Sequence, residues 1–167
     1  MEPAVFFTFI AVISSVFIWS GYTKFAEPET FRESLAAYQL LPGWAVVPLS
    51  WFFPAAEVGL AFALLLPVSR TEAGWGLIGL TLVFSSAVLI NLLRGRSELD
   101  CGCFGGFSQK IGPETLIRNS VLLVLLILLA LSEPSRTALS LDLITGVSAG
   151  LVLVLLYFAR LALPRWQ

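Results

Sequence analysis

Cys101 and Cys103 are the only thiols in 167 residues, stand one glycine apart in ELDCGCFGGF (98–107), and share the chain with no histidine at all. Two chemistries suit such a pair. A closed zinc site takes four ligands, mostly Cys and His, and Asp100 is the one further donor beside these thiols, which disfavours zinc. A soft ion such as Cu(I) is held by two thiolates, so a soft-metal transporter or carrier stands as the alternative function. Reversible disulfide formation is the other chemistry. Cysteines two positions apart reach bridging distance only where the backbone turns between them, and Gly102 is the residue type that permits that turn. The resulting ring is small and strained, and strained disulfides are the labile, catalytic or regulatory ones. Closing so short a loop adds little stability, which counts against a structural staple. Ordinary packing thiols belong within the apolar segments instead. Arg94, Arg96 and Lys110 favour the thiolate and Asp100 opposes it. Thiol–disulfide exchange is the leading chemistry, with Cys101 and Cys103 as the reacting pair of a thiol–disulfide oxidoreductase component.

A second reactive feature is Glu57, in FPAAEVGL (53–60). An ionised side chain at the centre of a bilayer costs roughly 2.5–3.5 kcal/mol, so Glu57 should face the interior of a bundle, either paired or protonated. Lys24 is one partner, reached by snorkelling; against it stands the depth of Glu57, about 18 Å into a helix that starts near Trp44. A hydrogen bond to Ser14, Ser15, Ser85 or Ser86 that merely joins helices is the structural alternative. Asn91 is read as structural, and Asp142 as a favourable charge at a helix start.

The elements that must position these residues follow from composition. The chain is 57% hydrophobic and 13% charged, with mean hydropathy +0.89, which is more apolar surface than a soluble domain of this size buries. Five runs approach the roughly 20 residues that cross a bilayer as helix: 5–22, 45–66, 73–93, 113–131 and 143–163. The expected fold is all-α, a polytopic transmembrane bundle of four to five helices in a single membrane domain over 1–167. The first run lacks a positive leader and a cleavage site and is read as a retained span. Gly112-Pro113-Glu114 marks the start of the fourth, with proline at the first helical position and an acid in the first turn. Trp44, Trp51, Trp75 and Trp166 suit interfacial belts.

Two connections are long. In residues 23–44, Pro28 opens a short interfacial helix whose Phe31, Leu35, Tyr38 and Leu41 share a face while Glu29, Arg32 and Glu33 lie elsewhere. It either rests in the headgroups or covers the cysteine loop. That loop, 94–112, holds four glycines between Gly102 and Gly112 and should sit at the interface or in a protein-lined recess. Lys24, Arg32, Arg94, Arg96, Lys110, Arg118, Arg160 and Arg165 share one side of a five-span layout, against Arg70 and Arg136 on the other. The positive-inside rule then places the cysteine loop on the cytoplasmic face. No basic patch calls for nucleic acid.

SGYTKFAEPETFRESLAAYQLLP (20–42), PAAEVGL (54–60) and RGRSELDCGCFGG (94–106) together resemble the methylamine utilisation protein MauE family, itself similar to the DoxX-like membrane proteins. The resemblance covers roughly residues 1–130. It implies a multi-pass bacterial inner-membrane protein that acts with a thioredoxin-like partner in disulfide formation or maturation of exported proteins, the client in methylamine utilisation being the disulfide-rich small subunit of methylamine dehydrogenase. It makes Cys101 and Cys103 the redox pair and Glu57, Lys24 and Asp100 motif residues without assigned roles. No cofactor is called for, with a quinone and a soft metal both open. An exported client is oxidised outside the cytoplasm, whereas the charge bias turns the cysteine loop inward. A relay from cytoplasmic donors, a segment that does not cross and a departure from the charge rule would each reconcile the two.

Overall fold

In hydrocarbon every backbone N–H and C=O must be bonded within its own segment, so apolar runs of this length become helices. The computed structural model describes residues 3–99, 110–132, 146–150 and 152. They form an all-α arrangement of α1 (Pro3–Ala26), α2 (Pro28–Ala37), α3 (Gly43–Leu65), α4 (Arg70–Leu93) and α5 (Pro113–Leu131). α1, α3, α4 and α5 are each long and apolar enough to cross a membrane. The fourth expected run coincides with α5. α1 outlasts its run by four residues: Lys24 finds its partner on α3, and Thr23 Oγ1 bonds back to Ser20 O of its own helix. Pro48 and Pro54 sit within α3 without delaying its start. The fifth expected run lies mostly outside the described residues; 146–150 and 152 within it are helical.

α1 packs mainly on α3, α3 on α4 and α4 on α5, while α5 closes the ring against α1 with the thinnest contact. Phe6, Ile10, Ile13 and Phe17 of α1 meet Leu64, Leu77, Leu126 and Leu129 in the core. Phe52, Phe62, Val83, Ile117, Val121 and Val124 point outward, as a lipid-facing surface requires. Gly146 and Gly150 lie on α1: a Cβ at Gly146 would stand 2.7 Å from Ala4 O and from Phe7 Cβ, and one at Gly150 would stand 2.7 Å from Ala11 Cβ. This Gly-x-x-x-Gly spacing lets backbones approach closely.

The offset between α1 and α3 sets up the site. Gly21 on α1 faces Pro54 O, Val58 and Glu57 of α3, with no room for a Cβ (2.5 Å to Val58 Cγ2). α3 therefore runs well past the end of α1. Glu57 is fourteen residues beyond Gly43 and Lys24 two residues before Ala26, an overhang of about 18 Å at 1.5 Å per residue. α2 occupies that overhang. Its Phe31 and Leu35 pack on Val46, with Phe53 and Phe84 alongside, while Glu29 and Glu33 stay exposed.

Candidate functional site

Lys24 and Glu57 meet at the level of Gly21. Lys24 Nζ donates to both carboxylate oxygens of Glu57 at 2.6 Å and to Ser20 Oγ at 2.8 Å. Ser20 is one helical turn before Lys24, the spacing that puts both on one face. Ser20 O in turn accepts from Thr23 Oγ1 at 2.9 Å. Lys24 and Glu57 are only 3% and 2% exposed. Lys24 thus points into the bundle and is the partner of Glu57 that the sequence offered, the depth of Glu57 notwithstanding. Glu57 does lie deep in α3, but the two helices do not start at one plane, and the overhang of α3 brings the acid level with the lysine. Among the described residues no serine bonds Glu57: Ser85 Oγ accepts instead from Asn119 Nδ2 at 3.3 Å, and Ser14 Oγ is buried without a partner.

Two aromatic rings flank the ammonium, Phe31 of α2 at 5.5 Å and Phe84 of α4 at 5.0 Å from their centroids, distances at which a ring face attracts a cation. Below the pair a cavity of about 40 Å³ is lined by residues of all four long helices, among them Ser20, Thr81, Phe84, Arg118 and Asn119. By volume that is room for one water-sized molecule. All three ammonium hydrogens are engaged, so the pair as it stands is neither a free base nor a nucleophile. It is a desolvated charge pair that fixes α1 to α3 and seats α2 over both.

Asp100, Cys101, Gly102 and Cys103 lie outside the described residues; the roots of their loop do not. α4 ends in a Schellman motif. Gly95, at φ +74°, donates to Leu92 O at 2.9 Å, and Arg96 N donates to Asn91 O at 3.0 Å, the paired bonds of a helix stopped by a left-handed glycine. This turn aims the chain back at α2, where Arg96 Nη1 reaches Ala37 O at 3.2 Å. The loop is then tied at its neck: Ile111 N donates to Leu99 O at 2.8 Å, and Lys110 pairs with Glu98. Tyr38, Val88 and Ile111 are buried together beneath the tie, with Leu99 against them. α2 therefore touches both features, Lys24 through Phe31 and the root of the cysteine loop through Tyr38 and Ala37. The contact of α2 is with the root of the loop, Arg96 and Ile111; whether it covers the cysteines themselves lies outside the described residues. Among the described residues no cluster of His, Cys, Asp or Glu suits a metal ion.

Sequence reading missed Ser20, Thr81, Phe31 and Phe84 as parts of the site. The i, i+4 spacing of Ser20 and Lys24 was the available signal. Arg118 and Asn119 were visible only as interruptions of an apolar run, which is what polar residues facing a bundle interior look like.

The family model described as methylamine utilisation protein MauE matches residues 1–132. The methylamine utilization protein MauE of Paracoccus versutus is 34% identical over 163 residues, covering 95% of this chain and 86% of that protein. The one of Methylorubrum extorquens is 33% identical over 163 residues, covering 96% and 88%, and that of Paracoccus denitrificans 29% over 161 residues, covering 95% and 87%. No solved structure matches the chain. The match runs through the buried Lys24–Glu57 pair and the tied cysteine loop alike, and the chain belongs to the methylamine utilisation protein MauE family.

Proposed function

We propose that this protein serves methylamine utilisation as a membrane thiol–disulfide relay, exchanging electrons between Cys101 and Cys103 and a thioredoxin-like partner during maturation of methylamine dehydrogenase. The observation that carries it is the tied neck. The segment that carries the only two cysteines of the chain is rooted in ends held together by Leu99 O and Ile111 N, where α4 and α5 meet the chain that joins them. Family membership supplies the methylamine context.

In the relay, the thiolate of one cysteine attacks a sulfur of the partner's disulfide. That S–S bond breaks, one partner sulfur leaves as thiolate, and a mixed disulfide forms. The second cysteine, as thiolate, attacks the mixed disulfide and releases the partner. Two thiols here are oxidised, one partner disulfide is reduced to two thiols, and the two protons lost here appear on the partner. Run in reverse, the same steps reduce the pair. The inner membrane of a bacterium is the proposed site, with the loop on the cytoplasmic face by charge bias.

The test is trapping. Cys101→Ser or Cys103→Ser expressed in cells grown on methylamine should accumulate a mixed disulfide with a thioredoxin-like protein, separable on a non-reducing gel and released by dithiothreitol. Absence of any adduct with both variants contradicts the relay.

A further inference from the structure

At the end of the bundle opposite the cysteine loop lies a cavity of about 360 Å³, bounded by Phe6, Leu64, Arg70, Thr71, Leu129 and Ser132. Arg70 is its cation. The guanidinium is held on two sides: Nε donates to Leu64 O at 3.3 Å, closing the end of α3, and Cζ sits 5.3 Å from the centroid of Phe6. Among the described residues no carboxylate pairs with it. Arg70 is also the first residue of α4, where the positive end of the helix dipole opposes a cation. A guanidinium fixed through its Nε, with no ion pair among the described residues, invites an anion.

The walls state which kind. Phe6, Leu64 and Leu129 are buried apolar side chains forming a floor, while the guanidinium and the hydroxyls of Thr71 and Ser132 form a polar rim. An apolar floor beneath a cationic rim at the end of a membrane-crossing bundle fits an amphiphile with an anionic head. Arginine's planar fork suits phosphate oxygens. We propose that this cavity binds the phosphate headgroup of an anionic phospholipid, with Arg70 on the phosphate and the acyl chains left in the surrounding bilayer.

The test uses the full-length protein purified in a non-ionic maltoside, with thermal unfolding followed against short-chain phosphatidylglycerol, the matching phosphatidylcholine and inorganic phosphate. Phosphatidylglycerol should raise the unfolding midpoint saturably, and the other two should not. Arg70→Gln should raise the half-saturating concentration roughly five-fold, the weight of one interfacial cation, whereas Arg94→Gln at the other end should leave it unchanged. Gly74→Val is an independent probe. A Cβ there finds only ordinary contacts, 3.8 Å to Ala130 Cβ and 4.0 Å to Leu64 Cδ1, while the added methyls enter the cavity, so the variant should fold and lose the lipid response. Equal stabilisation by phosphatidylcholine overturns the anionic head, and equal stabilisation by inorganic phosphate overturns the lipid. An unchanged response in Arg70→Gln and Gly74→Val overturns the site.

Discussion

Removing one member of the Lys24–Glu57 pair should be worse than removing both. With the two residues 3% and 2% exposed and bonded at 2.6 Å, Lys24→Met strands a carboxylate and Glu57→Met strands an ammonium. Each single change should destabilise by about 3–5 kcal/mol, the range for breaking a buried pair. The double variant removes both charges and keeps the volume. In it, the thioether introduced in place of Lys24 would lie between the rings of Phe31 and Phe84, which already stand 5.5 and 5.0 Å from the ammonium, and thioethers pack well against aromatic rings. The double variant should therefore be no less stable than either single variant, giving a coupling of about 3 kcal/mol in a double-mutant cycle. The assay is equilibrium unfolding in mixed micelles followed by far-ultraviolet circular dichroism. Single effects under about 1 kcal/mol, or a double effect equal to their sum, would rule out a desolvated pair, because either result means that the charges are solvated or apart.

Four further outcomes follow from named contacts. Gly146→Leu should destabilise the protein through the 2.7 Å approach to Ala4 O and Phe7 Cβ, read as a lower unfolding midpoint, whereas Gly79→Ala, with nothing within 4 Å, should not. Lys110→Met removes an ion pair whose side chains are 65% and 79% exposed, and stability should stay unchanged within experimental error in the same unfolding assay. Tyr38→Ala should loosen the buried cluster under the loop neck and speed alkylation of Cys101 and Cys103 by a soluble maleimide, with unchanged labelling as the contrary result. Gly95→Val forces a β-branched residue into φ +74° and should cost about 1–2 kcal/mol, measured by unfolding.

Much of the scaffold was legible because membrane burial leaves plain marks. Pro28 followed by Phe31, Leu35 and Tyr38 at helical spacing marked α2, and Gly112-Pro113-Glu114 marked the start of α5 to the residue. The end of α1 and the start of α4 were less legible. Thr23 and Lys24 look like the polar edge of a span until their partners are known, and Arg70 looks like a loop residue until Leu64 O and Phe6 are placed beside it. Pairing Lys24 with Glu57 required the stagger of α1 against α3, which depends on Gly21 admitting Pro54 and Val58. No local pattern in either helix states that stagger. Gly146 and Gly150 carried a spacing that could have been read, and their partner helix could not.

The proposed function stands on Cys101 and Cys103 forming a reversible two-electron couple, and a redox titration decides whether they do. Full-length protein is equilibrated in thiol–disulfide buffers of set potential, quenched with a mass-tagged maleimide and weighed. One two-electron transition is expected, with a midpoint in the range of exchanging dithiols, roughly −270 to −120 mV. A pair that stays reduced at every potential, or one whose disulfide resists reduction below about −300 mV as structural bridges do, would be incompatible with a relay.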